Sequence, residues 1–288
     1  MKINHRLSVH IDETTRSKFA ALGIDLEKYQ SSHVGSHAFI TVDETHPSWN
    51  DIEALITRPF QPWPLVTDLC STQFTDKELQ ECSRVVMISR REKMYPQPDD
   101  FGYRIASFDV SEFCPVCGIG LRQTAPIRLI GEPKWGSQSF FEVFGLPGEL
   151  FATPQAYEQV KRYFHIDYWP VLRHRDGATL KTVVQLKVAD LCVLNMPAHF
   201  RSEQCMVCGR TRYERVLRGP FPDVVEPCRA AISKTSKFFG AAALSWRDYV
   251  LSPEAYKVFS SIAPRDFRFQ ATSPMTLKQP TGLSVTGF

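Results

Sequence analysis

The sequence predicts an α+β protein in two parts, a small amino-terminal α/β unit followed by a duplicated cysteine-knuckle module. Three observations predict this: two C-x-x-C-G turns at 114–118 and 205–209, an internal repeat of strand, Ser/Thr-Pro cap and amphipathic helix, and a Pro-rich break at 59–64. In each turn the two-residue spacer lets both sulfurs reach one ion at about 2.3 Å, and the following Gly accepts the positive φ that turns backbone amides toward thiolates. Two such turns complete a closed tetrahedron with Cys114, Cys117, Cys205 and Cys208 as ligands of a single zinc ion. A closed shell has no position for water or substrate, so the metal is expected to be structural. A compact ribbon separates its pairs by about 15–20 residues, whereas 87 residues, 118–204, intervene here and the fold must close the site. A redox pair, disulfides or plain turns are the competing readings. The opening residues MKINHR lack an apolar secretory core, which disfavours disulfides. Cys70, Cys82, Cys192 and Cys228 show no pairing pattern and are expected to be reduced and mostly buried, with Cys228, in a Pro-rich stretch, the most exposed.

Length and a 43% hydrophobic content supply ample core for one large or two medium domains. No apolar run reaches the roughly 18 residues of a membrane-spanning helix. The formal charge of +3 is too small to imply a nucleic-acid partner. Its distribution is uneven, since residues 1–110 carry 12 Lys/Arg against 16 Asp/Glu while 111–288 carry 22 against 15. That asymmetry fits either a basic face on the second part or a mixed, solvated surface.

In chain order, RLSVHI at 6–11 alternates like a strand, and 12–22 reads as a helix capped by Asp12 with Phe19 and Leu22 three apart. AFITV at 38–42 is strand-like, and Ser48 caps a helix whose Trp49, Ile52, Leu55 and Ile56 recur at helical spacing. The 59–64 break then divides the chain into a unit at 1–72, a module at 73–275 and a mobile Thr/Gly/Ser-rich tail at 276–288. Thr75-x-x-Glu78 opens a helix expected to run through Leu79 and Cys82 toward Val86. YRIASF at 103–108 reads as a strand entering the first knuckle, with further strands at 119–123 and 212–217 after the two knuckles.

The internal repeat aligns FATPQAYEQV at 151–160 with VLSPEAYKVF at 250–259, an offset of 99, and Asp167-Tyr168 with Asp266-Phe267 ahead of extended segments at 168–173 and 267–271. In both copies a Thr or Ser N-cap precedes Pro at the first helical position, where a missing N–H costs nothing. The knuckles repeat at an offset of 91, so about 112–272 reads as two copies with an insertion in the second.

Signals for catalysis are thin. His165 with Asp167 and His174 with Asp176 flank a strand, but no Ser or Cys nucleophile lies in an elbow context. His37, His46, Asp43 and Glu44 are better read as solvent residues at a strand edge than as a metal site. Nucleotide binding has no support, since neither a P-loop nor G-x-G-x-x-G occurs. No enzymatic activity is expected. Trp135, Phe140, Phe141, Phe144 and Phe151 are dense around one loop, as core or as a partner patch.

The doubled C-x-x-C-G, Gly102-Tyr103 before the first knuckle, Glu-Pro-Lys-Trp-Gly at 132–136, Cys-Gly-Arg at 208–210, Phe-Phe-Gly at 238–240 and the two Ser/Thr-Pro-x-Ala-Tyr helices resemble the double-CXXCG proteins. That family is associated with immunity proteins of bacterial polymorphic toxin systems. The resemblance covers about 74–272 and implies a cytoplasmic protein that binds and neutralises a cognate toxin encoded beside it by steric occlusion. In that family's motif Cys114, Cys117, Cys205 and Cys208 are the zinc ligands. A zinc-ribbon nucleic-acid-binding or regulatory protein is the alternative, suggested by Arg201, Arg210, Arg212, Arg215 and Arg218 and weakened by the interleaved Glu203 and Glu214.

Overall fold

The alternation at the start of the chain places every second side chain of β1 (Lys2–His10) on one face, where His5, Leu7 and Val9 are buried. The computed structural model describes residues 1–56, 66–225 and 228–273; the Pro-rich break and the 276–288 tail lie outside the described residues. β1 is the centre of a three-stranded sheet, flanked by β2 (His37–Asp43) and β3 (Val66–Gln73), all antiparallel. This corrects the α/β expectation, because β2 and β3 both pair antiparallel to β1, although the helix-bearing connections are long enough for parallel crossovers. Helices α1 (Glu13–Ala21) and α2 (Trp49–Ile56) cover the buried face through Phe19, Trp49 and Ile52. Asp12 caps α1 as expected, with a reciprocal bond, Thr15 N–H to Asp12 Oδ1 at 2.7 Å and Asp12 N–H to Thr15 Oγ1 at 2.9 Å. The compact unit containing this sheet comprises Met1–Thr75 together with Val216–Gly219. Thr72 holds that returning segment, donating to Leu217 O and accepting from Gly219 N–H. His5 joins Asp68 at 2.8 Å and Glu44 at 3.1 Å, and Glu44 also receives Arg218.

The second unit, Asp76–Arg215 with Pro220–Phe288, is mixed α+β and mostly sheet. Its largest sheet runs in the order 92–93, 140–143, 146–152, 179–187, 167–173, 128–129. Phe141, Phe151, Val171, Leu180 and Val183 form the core on one face. A second sheet is ordered 191–192, 232–235, 249–251, 85–89, 267–271. Phe140 stacks near Phe259 and Phe267, at centroid distances of 5.5 and 5.1 Å, so the dense aromatics of the sequence serve mainly as core. Helices α3 (Asp76–Glu81), α4 (Gly102–Ser107), α5 (Pro154–Lys161) and α6 (Pro253–Ile262) complete the unit. Thr153 and Ser252 cap α5 and α6 with Pro in the first turn, as their sequences dictate.

Three local readings are overturned. The helix opened by Thr75 ends at Glu81, and Val85–Ser89 is a strand instead, because its β-branched run is buried on both faces between Tyr249–Leu251 and Phe267–Ala271. The YRIAS part of YRIASF is helical and only Phe108 is in a strand, since Tyr103 and Ser107, four apart, are buried on one side, while Ile105, which a strand would pair with them, faces solvent. The strands after the knuckles shrink to Arg122–Gln123 and Thr211–Tyr213. Cysteine chemistry also departs from expectation. Cys192 and Cys228 form a disulfide with Cα atoms 5.5 Å apart, and Cys228 is buried, not exposed. The pairing of Leu191–Cys192 with Ile232–Thr235 brings Cys192 to the Pro-rich stretch, a tertiary juxtaposition no spacing rule reveals.

Glu142 lies opposite Glu92 in the parallel pair of the largest sheet. Burial, reinforced by Asp248, pushes its carboxyl up to about 8; burial likewise raises Asp248 to about 6. Both exceed the unfolded values of about 4, so the folded state retains protons that the unfolded chain releases. The stabilising contribution of these two groups is therefore full below about pH 4 and is lost as pH rises through about 6 to 8. Glu142→Gln is expected to raise Tm at about pH 8 and change it little at about pH 4, which paired thermal melts check.

Candidate metal centre

Each knuckle closes with the same backbone bonds. Cys114 N–H donates to Ile119 O at 2.9 Å and Gly118 N–H to Cys114 O at 2.8 Å; Cys205 N–H donates to Arg210 O and Gly209 N–H to Cys205 O at the same two distances. Each turn sits at the tip of a short antiparallel pair, Phe108–Asp109 with Arg122–Gln123 and Ser202–Gln204 with Thr211–Tyr213. The four sulfurs lie within 4.8 Å of one another, with Cys114 to Cys205 at 3.7 Å and Cys117 to Cys208 at 3.6 Å. A tetrahedral ion with metal–sulfur bonds of about 2.3 Å needs sulfurs about 3.8 Å apart, so these residues fit one metal ion. Cys114, Cys117 and Cys205 are buried and Cys208 is half-buried, with Ile119 and Phe238 packed around them.

The four thiols do not share one electrostatic environment. Arg210 Nε donates to Cys208 Sγ at 3.4 Å and pulls that thiol down to about 6, whereas burial pushes Cys117 up to about 12. Arg212, almost wholly buried, reaches the carbonyls of Cys117 and Ala242 and pairs with Glu203 at 2.7 Å. Ser245 Oγ donates to the same Cys117 carbonyl. The first knuckle is thus pinned from outside its own sequence, and Arg212, Glu203 and Ser245 were not identified as supports of the site from sequence. The Cys-Gly-Arg run at 208–210 was a usable signal for Arg210 alone.

The remaining candidates do not assemble. Asp176 binds Arg173 at 3.1 Å, Arg175 at 3.4 Å and Ala178 N–H, not His174. Asp43 pairs with Lys2 and Thr45, while His46 Nδ1 accepts from Ser48 N–H. Among the described residues, the four cysteines form the one cluster of potential metal ligands. The arginines beside the second knuckle do not form an open stripe, because Arg212 is buried, Arg210 is engaged at Cys208, Arg215 lies over Trp246 and Arg218 is held by Glu44.

The chain is an α+β protein with a four-cysteine centre compatible with metal. Compared with known proteins, it matches no family model and no curated sequence. Among the described residues, no helix is long and apolar enough to cross a membrane.

The knuckle glycines differ in what surrounds them. Gly118, Gly120 and Gly209 all have positive φ, but a Cβ would meet Ala243 O at 2.5 Å from Gly118 and Glu112 O at 2.0 Å from Gly120, and open space at Gly209. Gly209→Ala should cost about 1–2 kcal/mol for the left-handed backbone and keep metal. Gly118→Ala and Gly120→Ala should cost more and lower the bound metal, as chemical denaturation and elemental analysis of the three variants will measure.

Proposed function

We propose that the chain is an immunity protein that binds a toxin encoded beside it and neutralises it by steric occlusion in the cytoplasm, with one structural zinc ion on Cys114, Cys117, Cys205 and Cys208. The observation that carries this reading is the closed four-sulfur arrangement with apolar side chains held outside it. When bound, zinc would supply folding energy, not a reacting position. The knuckle spacers present Val116, Met206 and Val207 at 54%, 97% and 68% exposure. Large apolar side chains held in water on rigid turns suit a surface that a partner covers. The resemblance of the doubled knuckles and Pro-capped helices to the double-CXXCG proteins supplies the partner class.

Duplication of the module is part of this reading. Cys114 and Cys205, and Cys117 and Cys208, are equivalent positions in the two copies and approach each other. Leu150 N–H donates to Tyr249 Oη, again between positions separated by the repeat offset of 99. The duplicated positions do not all share an environment, since Asp266 is buried and accepts from Ser139 and Phe140 N–H while Asp167 is exposed. The nucleic-acid alternative is disfavoured by the internal engagement of Arg210 and Arg212.

Co-expression with the product of the neighbouring reading frame should rescue growth and yield a complex that co-purifies. A harmless or non-binding neighbour would remove this reading, and salt-dependent retention on RNA or DNA would put the alternative in its place. Purified protein should carry about one equivalent of zinc. Cys114→Ser or Cys205→Ser should lower zinc content and Tm together, by on the order of 10 °C given about 2–4 °C per kcal/mol for a domain of this size. Less than about half an equivalent of zinc in freshly purified protein would count against the site, because closed thiolate sites hold their metal.

A further inference from the structure

We propose that a cleft beside the cysteine centre binds a carboxylate of an acidic peptide segment, recognised by Arg104 and Arg247. The inference stands on the cleft and its charges, and does not depend on the immunity reading. The cleft lies within the second unit and has a volume of about 730 Å³. That is the size of ligand sites, which run from about 300 to 1,000 Å³. Its walls come from α4, the first knuckle, the turn at 145–147 and the hairpin at 238–247.

Five cations line the cleft, Arg104, Arg122, Arg210, Lys234 and Arg247, against the carboxylates of Glu112 and Glu149. Three of the five are already engaged. Arg122 pairs with Asp109 at 2.6 Å, Lys234 pairs with Glu149 at 2.7 Å, and Arg210 is directed at Cys208 Sγ and the Glu112 carbonyl. Arg104 and Arg247 have no carboxylate partner among the described residues, and Glu112 is the one lining carboxylate outside an ion pair among them.

Both guanidinium groups are held on aromatic rings. Arg247 lies 4.2 Å from the Phe238 centroid and its guanidinium donates to Thr235 O at 3.3 Å; burial lowers its pKa, and among the described residues no acid opposes that shift. Arg104 lies 4.2 Å from the Phe101 centroid and 4.9 Å from that of Phe113, and its buried Nε has no hydrogen-bond partner among the described residues. Phe101 takes a left-handed φ of 63° to put its ring there. A non-glycine residue pays for that conformation in strain, and such strain persists where surrounding structure or function requires it.

A stacked guanidinium is preorganised with its N–H edge free for the two oxygens of a carboxylate. Leaving such a charge desolvated and unpaired is costly, so an anion entering the cleft relieves that cost. Most of the other lining side chains, among them Trp246, Phe238, Leu244 and Leu146, are apolar, with Ser245 and Tyr103 adding hydroxyls. The volume is several times that of a four-carbon dicarboxylate, so the ligand that fills it carries apolar side chains beside its acid, as a peptide does.

The test is fluorescence anisotropy with the zinc-loaded full chain and a fluorescein-labelled peptide, Trp-Leu-Glu-Glu-Leu-Phe, its Gln-for-Glu counterpart and succinate as competitor. The acidic peptide should bind, the Gln peptide about tenfold or more weakly, and Arg247→Gln and Arg104→Gln should each weaken binding about tenfold. Arg247→Lys should not restore it, because an ammonium cannot make the stacked, two-pronged contact. Melting temperature and zinc content identify variants that fold. Should either glutamine variant misfold, Leu244→Glu, on the cleft's part-exposed wall, should abolish binding by repulsion. Equal affinity for the two peptides, or unchanged binding by folded arginine variants, overturns the proposal. Displacement of the peptide by succinate at equal concentration overturns the peptide assignment.

Discussion

The approach of two knuckles 91 residues apart to a single four-sulfur cluster is the constraint around which the second unit is organised. Local hydrogen bonding forms each turn without help, but two turns share one ion only if the chain between them closes a long loop. The entropy of closure grows slowly with loop length, so a long separation is no obstacle once sheets hold the ends. The four-stranded sheet supplies part of that hold, because Thr211–Tyr213 of the second knuckle hairpin pairs with Phe238–Ala241, whose own hairpin partner is Leu244–Trp246. Gly118 then packs against Ala243 at a distance that excludes any side chain. Arg212 and Ser245 grip the Cys117 carbonyl from beyond the second knuckle in the chain.

Arginine plays distinct parts within a short span of this molecule. Arg212 is structural, buried and paired. Arg210 is electrostatic, donating to the Cys208 sulfur and favouring its thiolate form. Arg104 and Arg247 are stacked on rings with no acid to meet them. Counting basic residues along the sequence cannot separate these roles, since each depends on what lies across the fold from the side chain. The same holds for the aromatics, where Phe140, Phe141 and Phe151 are core and Phe101 is an exposed platform.

Much of the secondary structure was legible where a local rule decides it. The Asp12 cap, α2 from Trp49 to Ile56, the Thr153 and Ser252 caps with their prolines, and the strands that follow α5 and α6 rest on periodicity and capping, which act within one or two turns. The readings that failed lacked such a local arbiter. Val85–Ser89 is a short apolar run, equally compatible with a helix end or a buried strand, and its sheet neighbours at 249–251 and 267–271 settled it. Residues 103–107 alternate superficially, and helix won because Tyr103 and Ser107 share the inward face.

The sequence alone determined the identity of the four cysteines and the shape of each knuckle, because the C-x-x-C-G spacing and the glycine's positive φ are properties of five consecutive residues. Only the tertiary structure decided that the two pairs meet, that Cys192 joins Cys228, that Val216–Gly219 belongs with Met1–Thr75, and that a cleft with two unpaired guanidinium groups opens beside the cysteines. Each of these is a contact between residues far apart in the chain. Such contacts are set by how sheets pair and pack, and their partners leave no mark on the sequence near either residue.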